Sequence, residues 1–379
     1  MNKLLFVGGN FDRDGGRPSR LIEKIYFELL KYPDIQTTFY NGGNVTDLHE
    51  KILPSVIDYN IVIWFANVPN DEVKIRDVKA INPKTILITS KRNDDNKYTF
   101  AELITKALSI KANLTVEFSK GDRAFNMMVF DPLGNVFYDG VEFEKMVYAL
   151  VTRTKKLVAL TRVPSIQDTV SDAPVVPVEA DFFKFAHECA DIFHNLIRPA
   201  KGTERFLGNM SFRCQNGFPS FRGENGIVFV SRRNVDKSDI NEKSFVPTYL
   251  DENETVKYFG DAKPSVDTPV QLRLYNIFPW ANYMLHAHCF TAIDCNTEGF
   301  AMYKTKHPVP CGAIEEVAEI CDAIGDVEEL NCSNPRLVAI NLVGHGCILM
   351  ASDVSSLEEL SYEKDKSFVA RKMPEVCEA

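Results

Sequence analysis

Four short apolar runs recur along the first half of the chain: KLLFVGG (Lys3–Gly9), NIVIWFANV (Asn60–Val68), KTILITSK (Lys84–Lys91) and NLTVEF (Asn113–Phe118). Each is too short for a core helix and apolar at successive positions, so both faces must be covered, as in buried strands of a parallel sheet. Amphipathic stretches, SRLIEKIYFELLKY and FAELITKALSIK, stand among them. Strands alternating with helices predict an open, mostly parallel α/β sheet. FNMMVFDPLGNVFYDG then reads as a hairpin around Asp131–Asn135, and FEKMVYALVTRTKKLVAL as a closing helix.

With 379 residues the chain exceeds what one core usually supports, which favours two domains. The Pro-rich TRVPSIQDTVSDAPVVPVEAD has neither a helical nor an alternating pattern and reads as a linker. The expected division is residues 1–160 as a Rossmann- or flavodoxin-like domain, 161–178 as linker and 179–379 as a second domain.

Composition narrows the function classes. A hydrophobic share of 45% and a charged share of 25% suit a globular protein, and no apolar run has bilayer-spanning length. The chain starts on a strand-like segment rather than a signal peptide, so it is expected to be soluble and cytoplasmic, away from membranes. Its net charge of −9 falls almost wholly on the second half, leaving no basic stripe for nucleic acid. Nine cysteines, none in a CxxC pair, suit free thiols in a reducing compartment. The loop GGNFDRDGGRPSR could hold an anion on backbone amides or act simply as a turn, but it matches neither GxGxxG nor a P-loop.

In the second half, DFFKFAHECADIFHNLI reads as a helix whose His187 and His194 are ordinary helix-face residues, followed by a strand at GIVFVS. SVDTPVQLRLYNIF reads as a helix before the strand-like YMLHAHCF, and LVAINLV and CILMA as strands flanking Gly344-His345-Gly346. These elements predict a mixed α/β domain with a mainly antiparallel sheet. His286 and His288 lie two apart and would share one face of a strand. The glycines beside His345 permit a tight turn and a close approach. Three imidazoles with a fourth position open make a catalytic rather than structural arrangement, suited to zinc or another divalent transition metal.

The order GNMSFR (Gly208–Arg213), KPSVDTPVQLRLYNIFPWANYMLHAHC (Lys263–Cys289), PVPCGAIEEVAE (Pro308–Glu319) and NLVGHGCILM (Asn341–Met350) resembles the class II aldolase/adducin family. The likeness spans most of the second half and none of the first. It implies an α/β/α domain, zinc held by His286, His288 and His345, and Asp267 as catalytic acid/base. Asp267 is also read as a carboxylate at a helix start, favoured by the helix dipole. Asn209, Ser211, Ser231, Arg232 and Ser265 are implied as substrate-binding residues, with Arg213 continuing the same segment. Tyr303 and Tyr362 are candidates for a second acid/base.

Two departures alter the implied phosphate pocket. Val266 stands where a second serine is usual, and Arg232 or Arg233 where a glycine turn is expected. An arginine there can grip phosphate or carboxylate with two prongs. The resemblance therefore implies a zinc-dependent lyase or epimerase working through an enediolate on a small anionic sugar-like substrate, in a homo-oligomer, with a tetramer favoured. Two alternatives are a non-catalytic adducin-like scaffold, although such members lose the metal histidines, and a bifunctional protein with a separate nucleotide-binding first half.

Overall fold

A computed structural model describes residues 2–69, 75–121, 124–160, 168–170, 175–191, 206–213, 226–293, 295–361, 368–369 and 375–376. The chain divides into two compact units, Met1–Arg162 with Met373–Ala379, and Val163–Lys372.

In the first unit β1 (Asn2–Asp12), β2 (Ile35–Asn44), β3 (Ile61–Asn67), β4 (Ile86–Arg92) and β5 (Leu114–Lys120) are parallel, in the spatial order β2-β1-β3-β4-β5. The antiparallel strands β6 (Phe125–Phe130) and β7 (Asn135–Gly140) extend the sheet beyond β5. Successive residues of the apolar runs feed opposite layers. Leu4, Phe6, Ile61, Ile63 and Ile88 join one core cluster with the helices Arg20–Leu29 and Phe143–Leu160, while Leu5, Val7, Val62, Trp64 and Leu87 join another. Each fully buried aliphatic side chain of this kind contributes about 1.5–3 kcal/mol. The expected mostly parallel α/β architecture is what forms.

The hairpin turn follows from one carboxylate: Asp131 Oδ1 accepts from the Leu133 and Asn135 amides at 2.9 and 3.1 Å. Two local expectations change. β1 does not end at Gly8-Gly9 but runs on to Asp12 with an irregularity between Gly8 and Phe11. Edge strand β2, with the polar sequence IQTTFYNGGN, carried no apolar signal. In the loop after β1, the amides of Asn10, Gly16 and Ser19 are bonded to Arg17 O, Gly43 O and Asn41 Oδ1.

The second unit is built on a nine-stranded sheet. It comprises β8 (Asp168–Val170), β9 (Asn209–Arg213), β10 (Val228–Ser231), β11 (Phe245–Leu250), β12 (Val256–Phe259) and β13 (Tyr283–Ala287). After the two-residue β14 (Phe290–Thr291), the sheet is completed by β15 (Phe300–Lys304), β16 (Leu337–Leu342) and β17 (Gly346–Ala351). Its order is β15-β16-β17-β13-β9-β10-β11-β12-β8, antiparallel except for the outer pairs β12·β8 and β15·β16. β8 falls within the segment read as linker. β14 pairs separately with β18 (Phe368–Val369), and β19 (Glu375–Val376) lies beside β7 in the first unit.

Alternation decides what each face carries. Met210, Phe212, Leu285, Ala287, Leu349 and Ala351 fill one core, while Met284, Ile340, Ile348 and Met350 fill another with Val270, Leu274 and Tyr275 of the helix Thr268–Ile277. Asn209, Ser211 and His286 consequently share the face beneath that helix.

Candidate metal centre

The register sets His286 of β13 opposite Asn209 of β9 on one side and Ile348 of β17 on the other. His288 follows one residue beyond the strand. His345 is delivered by the turn between β16 and β17, closed by its amide on Leu342 O at 3.0 Å. Gly344 has φ 70° and Gly346 φ 154°. A Cβ on Gly346 would stand 2.1 Å from Ala287 O and 2.8 Å from His288 Cα. The close approach inferred from the glycines is thus that of the neighbouring strand's backbone.

The three rings converge, with centroids 5.0 Å apart for His286 and His288, 4.6 Å for His286 and His345, and 5.3 Å for His288 and His345. All three residues are buried, and one ligand nitrogen of each lies within 4.8 Å of the others. His286 Nδ1 is 2.9 Å from Cys347 O. A carbonyl only accepts, so Nδ1 carries the proton and Nε2 presents a lone pair. That Nε2 is buried with no hydrogen-bond partner. Burial, then the nearby His345, pushes the His286 pKa down to about 4.

His345 is oriented by Glu316, whose Oε1 lies 2.9 Å from Nδ1, with both residues almost fully buried. Its Nε2 meets Cys311 Sγ at 3.2 Å. Burial opposes a charge on His345, yet Cys311 and Glu316 hold its pKa well above the usual imidazole value. Burial raises the Glu316 carboxyl in turn. A carboxylate behind a histidine is the usual outer partner of a metal-bound imidazole, fixing tautomer and direction. Imidazole nitrogens, an orphaned buried Nε2 and a carboxylate-backed ring together fit a late first-row divalent ion.

Asp267 begins the helix Thr268–Ile277, but its side chain makes no capping bond. Oδ2 instead accepts from Asn209 Nδ2 at 2.6 Å, and Asn209 Oδ1 accepts from Gln271. Oδ1 of Asp267 is buried without a partner. Asp267, Cys311 and His345 form a second group whose ligand atoms lie within 4.8 Å of one another. Gln271 and Glu316 were not singled out in the sequence. The usable signals were a glutamine one helical turn after Asp267 and the acidic pair after Gly312.

The implied substrate-binding residues divide. Asn209 has both ends of its amide engaged with Gln271 and Asp267. Ser265 lies beside Asp267, its Oγ 3.5 Å from Oδ2. Ser211 is fully buried with its hydroxyl 3.1 Å from Tyr275, and Ser231 Oγ accepts from the Met210 amide at 3.1 Å. The tight turn after β10 is made by Asn234, at φ 62°, rather than by either arginine. Arg233 Nε donates to Pro264 O at 3.0 Å, and Asp267 is among the charges acting on it. Arg232 is exposed. Both arginines line an open cleft of about 690 Å³ with Lys243 and Lys263, and its lining includes neither Asp267 nor the three histidines.

Arg213 lies over the Tyr275 ring and donates to Tyr275 O. Tyr303 packs against the core around Tyr275, and burial first, then Glu329 and Cys295, raises its pKa. His187 is bonded to Ile240 O at 2.8 Å, as an ordinary helix-face residue. Tyr362 and His194 lie outside the described residues.

Residues 187–363, somewhat less than half of the chain, match the family model described as Class II Aldolase and Adducin N-terminal domain. The motif resemblance is shown over that segment. No curated protein matches the chain in sequence. Among solved structures, L-fuculose 1-phosphate aldolase is 16% identical with TM-score 0.31, covering 51% of this chain and 92% of that one. YgbL from Klebsiella pneumoniae, a putative aldolase/epimerase/decarboxylase, is 15% identical with TM-score 0.28, covering 48% and 85%. A DNA/pantothenate metabolism flavoprotein from Streptococcus pneumoniae is 16% identical with TM-score 0.33, covering 41% and 99%. Among the described residues, no helix is long and apolar enough to cross a membrane.

Proposed function

We propose that the second unit is a zinc-dependent, or other divalent-metal-dependent, lyase or epimerase that works through an enediolate on a small anionic sugar-like substrate. Aldol cleavage, 4-epimerisation and decarboxylation all share that requirement. The observation that carries the reading is the convergence of buried His286, His288 and His345, with an unpartnered Nε2 on His286 and the Asp267 carboxylate beside His345. A divalent ion held by the three imidazoles supplies Lewis acidity to a substrate oxygen.

The chain's own residues account for the proton. Asn209 fixes Oδ2 of Asp267 and is itself fixed by Gln271, so the carboxylate keeps one orientation. The free Oδ1 is the atom that takes a proton from substrate and returns it, as a general base and then acid. Glu316 holds the His345 ring so that Nε2, not Nδ1, faces the centre. Arg233, turned by its bond to Pro264 into the field of Asp267, supplies charge for a phosphate or carboxylate.

The test is metal analysis of the purified chain followed by a screen of aldol, epimerase and decarboxylase substrates. One divalent ion per chain, lost when His288 and His345 are replaced together, is the expected result. Stoichiometric metal that survives that double replacement would sink the assignment.

A second reading concerns the first unit, where the strand order turns between β1 and β3. Open α/β sheets bind ligands in the crevice outside the carboxyl ends of the strands at such a reversal. A nucleotide bound there by the full-length chain, with unchanged affinity after His345→Ala, is the expected outcome. Loss of that nucleotide affinity with His345 would argue against a separate site.

A further inference from the structure

The three-histidine reading leaves Cys311 unused, although its sulfur touches the site. Sγ is 3.2 Å from His345 Nε2. In a tetrahedral zinc site with Zn–S near 2.3 Å and Zn–N near 2.0 Å, the sulfur-to-nitrogen edge is about 3.5 Å. The pair therefore already stands close to the separation of two ligands on one ion. Nδ1 of His345 faces Glu316, so Nε2 and Sγ face each other with one proton between them. Exchanging that proton for a metal ion leaves both atoms as lone-pair donors, with the proton released to solvent.

Backbone geometry places the sulfur there. Gly312 has φ 74°, and a Cβ on it would lie 2.5 Å from Val266 O. The Pro310-Cys311-Gly312 turn is thus pressed onto the segment that ends in Asp267. Two residues of the surrounding donor groups each keep a buried, unpartnered atom, Nε2 of His286 and Oδ1 of Asp267. His345 belongs to both donor groups, one with His286 and His288 and one with Asp267 and Cys311.

We propose that Cys311 is a fourth protein ligand of the metal, giving a three-nitrogen, one-sulfur site in the absence of substrate. The inference rests on the three-histidine metal reading and deepens it. A thiolate makes the donor set softer, favouring zinc or cobalt over magnesium or manganese.

The experiment loads metal-free full-length protein with Co²⁺ and records its spectrum and its stoichiometry. Wild type is expected to bind one ion and show an intense near-ultraviolet thiolate-to-cobalt charge-transfer band. Cys311→Ser should lose that band, retain the weaker visible bands of a nitrogen-ligated ion, and bind about tenfold or more weakly in chelator competition. Alkylation of Cys311, whose sulfur is part-buried against His345, should be slowed further by prior loading with Zn²⁺. Stoichiometric Co²⁺ with no charge-transfer band, or a band that survives Cys311→Ser, overturns this inference and leaves the three-histidine site standing. No stoichiometric binding by wild type removes the metal reading and this inference with it.

Discussion

Replacing Gly346 with alanine tests how the fold builds the proposed metal centre without touching a proposed ligand. The added Cβ would sit 2.1 Å from Ala287 O and 3.0 Å from Ala287 C, on backbone at φ 154°. Backbone atoms cannot swing aside as a flexible side chain does, so β13 and β17 must part by roughly an ångström to restore van der Waals contact. The strain alone costs about 1–3 kcal/mol. The displacement falls on Ala287, between His286 and His288, whereas donor distances in metal sites hold to about ±0.2 Å. Misplaced ligands of this kind should weaken the metal by about 10–100-fold, equivalent to about 1.4–2.8 kcal/mol. Chelator competition with Zn²⁺ reads the affinity, and thermal denaturation should show a fall of roughly 3–10 °C. Wild-type affinity together with an unchanged melting temperature would refute the account of the turn.

Glu316→Gln should weaken metal binding by about 10–100-fold while the fold survives, because the carboxylate behind His345 is lost; titration of the metal-free variant checks it. Asp267→Asn should retain stoichiometric metal and lower turnover by about 100-fold or more, and unchanged turnover would reassign Asp267 to a structural role. Arg233→Ala should raise KM for an anionic substrate by up to about 100-fold and Arg232→Ala by less, since Arg233 is held on Pro264 O with Asp267 among the charges acting on it; wild-type KM in Arg233→Ala would remove it from the substrate site. For the metal-free protein, the His286 pKa of about 4 lies below the usual 6.5, so the unfolded chain binds the extra proton between those values. Stability from this residue is therefore present above about pH 6.5 and lost as pH falls towards 4, by about 3 kcal/mol at most. Comparing pH–stability curves of wild type and His286→Gln isolates it, and identical slopes would remove the effect.

Much of this architecture is visible in local pattern. The apolar runs at Ile61–Phe65 and Ile86–Ile88 are buried on both faces, which only strands between two helical layers achieve, and the Asp131–Asn135 turn carries its own hydrogen-bond acceptor. The pair His286 and His288 was legible because a strand repeats every two residues. β2 was not, since an edge strand can remain polar and still pair by backbone alone. Nor was the use of Asn209: its amide supports Asp267 from a position 58 residues away in sequence.

The sequence by itself determined which residue types could serve a metal centre, the periodicity that makes β13 a strand, and the glycines that free the turn at His345. The tertiary structure alone decided which atoms meet. It set Glu316 behind His345, Gln271 behind Asn209 and Cys311 against Nε2, because those contacts depend on strand register and on loops closing over distant segments. Local propensity acts over a few residues along the chain, whereas a ligand sphere joins residues that are neighbours only after the sheet has formed.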